Sequence, residues 1–434
     1  MIARRAGRVL GAAALACAAL MAAVPPPDAS QSPPPASGAA ISVLPLPRRL
    51  TLLGAGWCGE RFRTYEVRFE GVPSEPGALE LLEQRWGAIG VTPRPGASVR
   101  IDVSKLRPDE AALSRDLGDE GYVVVIDRHG VRISAATAAG RFYGMMTLAQ
   151  LPQRKRGRGW CLPDARVVDW PAMRWRGLSD DLSRGPIPTL AFLKERIRAI
   201  AAFKGNLYSL YLESAFRDPQ EPLASPQDAI TPRELADLAA YAARYHVALM
   251  PEQETLGHMH RLLSYERYAG LAELPHDYVL APAVPGAEQL MQGIVDDEGA
   301  AVRGRTPFFH LGGDEPNLVG SGRSADLAKR VGPEAMYLGY YTPLFAAVAA
   351  MGMRPVVWGD FLLAHAGAIA KLPKSVVVAN WHYAAEASYI KYLEPFAKAL
   401  QRLARLDGKQ QQFAFQVFVR DCHVFCFRNL IQNH

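Results

Sequence analysis

The segment His310-Leu311-Gly312-Gly313-Asp314-Glu315 places two glycines and two adjacent carboxylates directly after an apolar run. Glycine lets a backbone approach a ligand closely and adopts conformations that aim neighbouring side chains unusually. In a regular strand Asp314 and Glu315 would point to opposite faces, but at a strand end both can face one cavity. The pattern therefore predicts acid–base chemistry at the end of a buried strand, in preference to a Gly-Gly turn with solvated acids.

Short apolar runs alternate with amphipathic stretches around this segment, which predicts strand–helix units. We predict strands over 173–178, 207–212, 247–250, 308–311, 356–358 and 376–379, and helices over 190–203, 232–245, 286–302 and 337–351. Six such units in series indicate a parallel sheet, either open or closed into a barrel. In a barrel the chemistry lies where strands end, and polar residues cluster at those places: Asp180, Asp181, Glu213, Glu252, His258, His260, Asp314, Glu315 and Asp360.

The preceding part of the chain, residues 41–154, has the pattern of a small α+β domain. Two short apolar runs over 123–126 and 131–133 predict strands joined by a turn, and 138–151 has helical spacing. The basic stretch 154–158 is interpreted as a solvated linker before a barrel domain over 170–399.

Taken together, these motifs resemble glycoside hydrolase family 20, the β-N-acetylhexosaminidases, whose hallmark is His-x-Gly-Gly-Asp-Glu. Residues 310–315 match it completely. The segments 175–178 and 181–184 resemble the family's first barrel strand, 204–207 its second and 251–258 its third, while 122–151 resembles the domain before the barrel. The resemblance covers about 41–399 and implies a (β/α)8 TIM-type barrel preceded by a small α+β domain.

The resemblance also implies the reaction. An exo-acting enzyme would remove a terminal, non-reducing β-linked N-acetylhexosamine by substrate-assisted retaining catalysis, with no cofactor and with a glycan or chitooligosaccharide as substrate. Glu315 resembles the general acid/base, and Asp314 resembles the carboxylate that orients and polarises the 2-acetamido N–H.

Further residues are assigned to substrate binding by the same resemblance. Arg176 would hold sugar hydroxyls at the pocket floor, His258 would lie next to the acid pair, and Trp358 and Trp381 would form pocket walls. The family's aspartate that orients this histidine is absent from 209–215, and Glu213 is the nearest substitute. The complete expected substrate-binding set is Arg176, His258, His310, Trp358, Trp381 and Glu213.

A metal-dependent amidohydrolase barrel is the alternative from a different class of enzyme. His258 and His260 have the His-x-His spacing of such a site, and His310 with Asp314 could complete a ligand set. In those barrels, however, the His-x-His pair ends the first strand, whereas two predicted strands precede it here. We therefore expect no metal.

The composition and the distribution of charge limit the kinds of partner that the protein is expected to bind. The 434 residues are 49% hydrophobic and 21% charged, which is ordinary for a globular protein. The formal net charge of +6 lies at the two ends of the chain, so residues 24–399 are neutral overall. This distribution argues against nucleic acid as a partner, and no segment after the first 23 residues is apolar enough to cross a membrane.

The N-terminus has the pattern of a secretory signal over 1–23, followed by a Ser/Pro/Ala-rich linker over 24–40. Arg4, Arg5 and Arg8 precede a short apolar run, and this pattern predicts a secreted or periplasmic protein. A lipid anchor at Cys17 is the less favoured interpretation. The remaining cysteines, at positions 58, 161, 422 and 426, allow one disulfide, which the sequence leaves undecided.

Residues 400–434 form an atypical tail. The family resemblance stops near Ala399, and the strand–helix rhythm stops with it, so that six barrel units are predicted where a closed barrel needs eight. The tail lacks the tyrosine, acid and tryptophan that the resemblance assigns to strands seven and eight. We interpret it as a frameshift or truncation, with a divergent natural terminus as the alternative. An open barrel would expose two sheet edges, which predicts poor expression and low activity, or a catalytically impaired carbohydrate-binding relative.

Overall fold

The computed structural model describes residues 43–381, 394–396, 414–417 and 423–429. The expected signal (1–23) and linker (24–40) lie outside the described residues, as does most of the tail. Among these described residues, no helix combines the length and the apolar character that crossing a membrane requires.

An eight-stranded mixed sheet forms the first domain. Its strands are β1 (Arg49–Cys58), β2 (Thr64–Glu70), β3 (Thr92–Pro93), β4 (Val99–Ser104), β5 (Tyr122–Asp127), β6 (Gly130–Ala135), β7 (Gln153–Lys155) and β8 (Gly159–Asp169). They follow the order β1-β8-β5-β6-β4-β2-β3, and β7 pairs with β8. β5 and β6 are the hairpin predicted from the apolar runs at 123–126 and 131–133.

Buried apolar residues on both sides of β5 explain its unbroken apolar run. Helix Ala138–Gln150, whose N-cap Thr137 accepts from the Gly140 N–H, packs on one side. On the other side Val123 and Val125 pack with Leu117 and Val168.

The domain boundary differs from the prediction. β8 lies between β1 and β5 in the sheet and pairs with β1 as far as Val168 and with β5 as far as Asp169. The basic stretch 154–158 therefore starts in β7 and forms the turn to β8. It is part of the first domain and not a linker, because β8, a strand of the same sheet, follows it.

A disulfide joins the ends of two paired strands of this sheet. Cys58 closes β1 and Cys161 lies opposite it in β8, and their sulfurs are bonded. The structure thus settles a pairing that the sequence left open.

The second domain is a closed barrel. Its strands are β9 (Trp175–Asp181), β10 (Leu207–Tyr211), β11 (Ala248–Glu252), β12 (Phe308–His310), β13 (Arg354–Trp358), β14 (Val377–Asn380), β15 (Ala414–Val417) and β16 (His423–Asn429). The first six are the six predicted strands, in parallel and in chain order. The core inside the barrel is apolar, with Leu207, Met250, Phe308 and Val377 among its buried members.

The tail closes the barrel, which corrects the expectation of two open edges. β15 continues the parallel order beside β14, and β16 runs antiparallel to both β15 and β9. The count of six strand–helix units was correct, but two strands from residues 400–434 fill the gap. The sequence rhythm missed them because no regular alternation marks them.

Helices accompany these strands, and each predicted helix is present with slightly different ends. Helix Pro232–Ala243 begins with Thr231 and Glu234 in a reciprocal capping arrangement and stops before His246, whose φ of 57° is left-handed. The α-helices are Pro76–Gly87, Ser114–Leu117, Ala138–Gln150, Leu190–Ala202, Pro232–Ala243, His260–Ser264, Glu266–Ala269, Ala287–Val302, Ala325–Val331, Pro333–Ala350, Asp360–Ala364 and Ala366–Ile369. Short 3₁₀ helices occupy Gly59–Phe62, Pro108–Leu113 and Pro222–Ala224.

Candidate active site

The carboxyl ends of the barrel strands bring the predicted polar residues to one level. Asp181, Tyr211, Glu252 and His310 are successive register partners across β9 to β12. Parallel strands end at the same face of a barrel, so the segments that follow them share this face. The sequence-based expectation of a polar cluster there is met.

The two glycines after β12 fit the loop into crowded space. Gly312 has φ 59° and Gly313 has φ 85°, both in the region that favours glycine. A Cβ on Gly312 would lie 2.3 Å from Glu254 Oε1, and one on Gly313 would lie 2.1 Å from the Tyr341 hydroxyl. The glycines thus let the backbone pass these side chains and deliver Asp314 and Glu315.

One imidazole nitrogen contacts both adjacent acids. His258 Nε2 lies 3.2 Å from Asp314 Oδ2 and 3.3 Å from Glu315 Oε2. The Asp314 side chain is 17% exposed whereas that of Glu315 is 46% exposed. Asp314, the inner acid, is therefore held by the protein, and Glu315, the outer acid, is accessible to a substrate.

The electrostatics of this group favour a charged pair. Burial opposes ionisation of Asp314, but hydrogen bonds from His258 and Glu254 outweigh it and hold the pKa of Asp314 below its ordinary value. The hydrogen bond to Asp314 raises the pKa of His258, against the opposing effect of burial. Asp314 is accordingly an anion and His258 a donor at neutral pH.

Glu254 is the third acid of the cluster, and sequence reasoning gave it no role. It is fully buried, its Oε2 accepts the Gly313 N–H at 3.0 Å, and it shares a hydrogen bond with Asp314. Burial, followed by the charge of Asp314, raises its pKa well above the ordinary value. The available signal was its place in 251–258, where an acid falls inside a buried run.

Backbone strain marks the outer acid and the imidazole. Glu315 has φ 47° and His258 has φ 52°, a left-handed conformation that is uncommon for residues other than glycine. The Glu315 N–H donates to Asp360 Oδ2 at 2.7 Å, which fixes the strained turn. Burial raises the pKa of Asp360 to about 6. Such strain persists where the surroundings over-determine it, often at functional sites.

Glu213 lies in the cluster, close enough for the charge of His258 to act on it, and its expected place as the substitute for the family's histidine-orienting aspartate stays a prediction. Its side chain bonds Ser183, and burial raises its pKa. Arg184 lies on the far side of the His258 ring, with Nη2 3.5 Å from Nδ1, and also donates to the Tyr211 hydroxyl at 3.2 Å. Arg184 and Tyr211 are therefore neighbours of the site that the sequence did not single out.

His310 supports the loop and is not placed to bind a substrate. Its ring is fully buried, its Nδ1 accepts the Gly312 N–H at 2.9 Å, and it packs on Trp358 at 4.5 Å between ring centroids. Burial lowers its pKa to about 3, so the ring is neutral. Its expected contact with substrate is corrected to a contact with the glycine turn.

The two tryptophans follow the expected positions along the chain. Trp358 ends β13 and is buried, and the half-buried Trp381 directly follows β14. Both pack against the apolar core of the barrel. Their predicted role as walls around an acetyl group and a sugar ring stays a prediction.

Arg176 lies at the opposite end of the barrel, which corrects its assignment to the sugar pocket. It is the second residue of β9, next to Gly177, which pairs with Leu207 at the start of β10. Its guanidinium donates to Glu120 at 2.7 Å and to the Lys204 carbonyl oxygen at 2.8 Å. Arg176 therefore joins the first domain to the barrel, and the motif match could not show which way its side chain turns.

The two histidines assigned to a metal in the alternative interpretation both lie beside Tyr278, but only His258 forms ion pairs with the acids. His258 contacts the acids, whereas the His260 ring stacks on Tyr278 with 4.7 Å between centroids and a 10° interplanar angle. This arrangement gives each ring a role within the protein.

Family comparisons account for both domains. The model of glycosyl hydrolase family 20, domain 2, matches residues 40–170, and that of the glycosyl hydrolase family 20 catalytic domain matches residues 208–401. The second match ends close to Ala399, where the sequence changes character.

Curated relatives cover part of the chain. A beta-N-acetylhexosaminidase of Cellulomonas fimi is 29% identical over 229 residues, which are 47% of this chain and 46% of the relative. The beta-hexosaminidase subunit beta of Entamoeba histolytica is 28% identical over 222 residues, which are 45% of this chain and 38% of the relative. The chain thus spans less than half the length of these two proteins.

Solved structures show the same fold over most of the chain. The chitobiase of Flavobacterium johnsoniae superposes with a TM-score of 0.68 at 18% identity, covering 86% of this chain and 59% of the other. The GH20 beta-N-acetylhexosaminidase of Streptomyces coelicolor gives 0.65 at 20%, covering 87% and 74%. The fold is a TIM-type barrel preceded by an α+β domain, and the chain belongs to glycosyl hydrolase family 20.

Proposed function

We propose that this protein is an exo-acting glycoside hydrolase that removes a terminal, non-reducing β-linked N-acetylhexosamine, GlcNAc or GalNAc, by substrate-assisted retaining catalysis. The observation that carries the proposal is the Asp314–Glu315 pair at the carboxyl ends of the barrel strands, with His258 in contact with both acids. Family membership supplies the class of reaction.

The first step uses the acetamide of the substrate as nucleophile. Its carbonyl oxygen attacks the anomeric carbon as the glycosidic bond breaks, and the Glu315 carboxyl group gives its proton to the departing oxygen. Asp314, held as an anion by His258, accepts the acetamide N–H and stabilises the positive charge of the oxazolinium intermediate.

The second step reverses these roles. A water molecule attacks the anomeric carbon, the Glu315 carboxylate takes a proton from that water, and the acetamide is released, so the configuration is retained. The exposure of Glu315 suits this exchange of protons with a leaving group and then with water.

The geometry favours this route over a double displacement with an enzyme nucleophile. A retaining glycosidase of that type places two carboxyl groups about 5–5.5 Å apart, on either side of the bond that breaks. Asp314 and Glu315 are consecutive in the chain and share one His258 nitrogen. They therefore approach the substrate from the same side, where one can serve the acetamide and the other the leaving group.

The substrate class and the location of the protein are part of the proposal. We expect a glycan or chitooligosaccharide that ends in an N-acetylhexosamine, and one relative, from Ostrinia furnacalis, is named a chitooligosaccharidolytic beta-N-acetylglucosaminidase. Export to the periplasm or the exterior agrees with the Cys58–Cys161 disulfide, since such bonds persist in oxidising compartments.

A catalytically impaired, carbohydrate-binding relative is the second candidate. The observation that favours it is the reversed direction of β16, which brings an amino end to the face where the other strands bring carboxyl ends. An eighth strand of that direction does not supply site residues in the usual way.

The test compares a chromogenic β-N-acetylglucosaminide with the matching β-glucoside. We expect hydrolysis of the first alone, because the second has no acetamide, and loss of activity in Glu315→Gln. Equal hydrolysis of both would refute the substrate-assisted mechanism. Tight binding of a thiazoline mimic of the intermediate without any hydrolysis would favour the carbohydrate-binding candidate.

A further inference from the structure

Two buried carboxylate oxygens of the site each need a hydrogen-bond donor. Within the part of the chain that the structure describes, Asp314 Oδ1 and Glu254 Oε1 each lack an N–H or hydroxyl donor. The second oxygen of each residue is served, Asp314 Oδ2 by His258 at 3.2 Å and Glu254 Oε2 by the Gly313 N–H at 3.0 Å. Buried acceptors are nearly always paired, so the two remaining oxygens require a donor.

A single proton satisfies both oxygens. Glu254 Oε2 accepts the N–H of Gly313, the residue next to Asp314, so the two carboxyl groups are close neighbours, and each affects the pKa of the other. Two negative charges so close together in a buried place are unfavourable. When one of them is protonated, its O–H donates to the other, which removes the repulsion and pairs both oxygens.

Glu254 is the carboxyl group that holds this proton. It is fully buried, and no cation of the described residues is among the groups that shift its pKa, whereas Asp314 is partly exposed and contacts His258. Burial and the neighbouring charge of Asp314 raise the pKa of Glu254, and the pKa of Asp314 is lowered.

We propose that Glu254 is a positioning residue, whose neutral carboxylic acid donates a hydrogen bond to Asp314 Oδ1 and so fixes the Asp314 carboxylate toward the acetamide N–H of the substrate. The role rests on the proposed function, because it acts through Asp314. Gly312 is part of the same arrangement, since a Cβ there would lie 2.3 to 2.5 Å from the Glu254 carboxyl atoms.

Two substitutions separate positioning from mere packing. In Glu254→Gln the amide nitrogen can still donate to Asp314 while the amide oxygen accepts the Gly313 N–H, so kcat should stay within about threefold and the acid limb of the pH profile should not move. In Glu254→Met the donor is lost, and kcat should fall by about 10- to 100-fold. In an Asp314→Asn background, Glu254→Met should add less than about threefold, because both changes disturb one interaction.

Several outcomes would overturn the role. If Glu254→Gln loses as much activity as Glu254→Met, or shifts the acid limb, Glu254 is not a neutral donor. Full additivity of Glu254→Met with Asp314→Asn would likewise remove the link to Asp314. Thermal unfolding of each variant identifies any that fail to fold, and Glu254→Gln, the near-isosteric change, keeps the test decisive in that event.

A readout without turnover keeps this inference separate from the proposed function. Infrared spectroscopy of the resting protein at pH 7 should show a protonated-carboxyl band that disappears in Glu254→Gln. Glu252, the fully buried last residue of β11, has a pKa raised by burial to about 8 and contributes a similar band, so Glu252→Gln provides the matched control. Absence of a band assigned to Glu254 overturns the shared proton, even in an active enzyme. A wild type that shows the band but hydrolyses no N-acetylhexosaminide refutes the proposed function alone.

Discussion

Replacing His258 by asparagine tests how much the charged contacts to the acid pair contribute. Asparagine is chosen because it tolerates the left-handed backbone that His258 adopts at φ 52°, so the change removes the ring without adding backbone strain. His260→Asn is the matched control, because this ring lies 6.2 Å from that of His258 yet stacks on Tyr278 instead of contacting the acids.

The expected magnitude follows from the contacts that are lost. Nε2 of His258 lies 3.2 Å from Asp314, and the two side chains are 14% and 17% exposed, so solvent screens this contact weakly. The contact with Glu315 at 3.3 Å is screened more, because the Glu315 side chain is 46% exposed, and it adds little. A hydrogen bond to a charged group contributes about 1.5–3 kcal/mol. If this whole free energy stabilises the transition state, its loss lowers kcat/KM by about 10- to 150-fold. His260→Asn should change kcat/KM by no more than about twofold.

The pH dependence of stability gives a second measure with opposite signs for the two histidines. The hydrogen bond to Asp314 raises the pKa of His258, so its contribution to the free energy of unfolding is complete below pH 6.5 and is lost as pH rises through the raised pKa. Burial, followed by the charge of His258, lowers the pKa of His260. Its effect is therefore destabilising below pH 6.5, where the unfolded chain takes up the proton first.

The assays are steady-state hydrolysis of an aryl N-acetylglucosaminide and urea unfolding between pH 5.5 and 8.5, on the wild type and both variants. The stability difference between wild type and His258→Asn should shrink as pH rises, and that for His260→Asn should grow. Equal losses of activity in both variants, or the same pH trend in both, would show that the contacts to the acid pair do not carry the effect.

Three further outcomes follow from the same structure. Glu315→Gln should lower rates most for substrates with poor leaving groups, by about 100-fold or more, whereas Asp314→Asn should lower rates for all leaving groups alike. A series of aryl glycosides with different leaving groups distinguishes the two variants, and identical dependence on the leaving group would contradict the assigned roles. Gly313→Ala should destabilise the protein by about 2–4 kcal/mol, because its Cβ would lie 2.1 Å from a tyrosine hydroxyl at φ 85°; denaturant unfolding that matches wild type would contradict the close approach. Cys58→Ser with Cys161→Ser should lower the free energy of unfolding by about 2–5 kcal/mol, since the bond closes a separation of 103 residues; unchanged stability and two free thiols in the wild type would contradict the pairing.

Much of the barrel could be predicted because its signals are local. The apolar runs at 308–311 and 356–358 correspond to β12 and β13, and the Thr231 cap begins a helix where expected. β15 and β16 could not be predicted, because no strand–helix alternation marks them and because β9, a partner of β16, is the first strand of the barrel and distant in the chain. Register of that kind is set by tertiary packing rather than by periodicity.

The candidate site also combines features that the sequence predicted with features that it did not. The order of residues in 310–315 predicted the adjacent acids, and the distance from His258 to Asp314 agrees with the expected neighbourhood. The direction of a long side chain was not readable: Arg176 turns to Glu120 in the first domain. Nor did the sequence reveal that Glu254 lies against Asp314, because that contact depends on two glycines and a buried loop.

The pairing of β9 with β16 has a consequence for the folding of the chain. Trp175 lies opposite Phe427, and Ser179 lies opposite His423. This pairing, the seam of the barrel, joins its first strand, β9, to β16. The strands β9 to β14 neighbour one another in chain order and can assemble step by step, whereas the seam is a long-range contact of the kind that slows folding. Until it forms, β9 keeps an unpaired edge that can recruit another chain. Substitutions that weaken the seam should therefore be recognised first by slow refolding and concentration-dependent aggregation, while the acids at the far ends of the central strands stay intact.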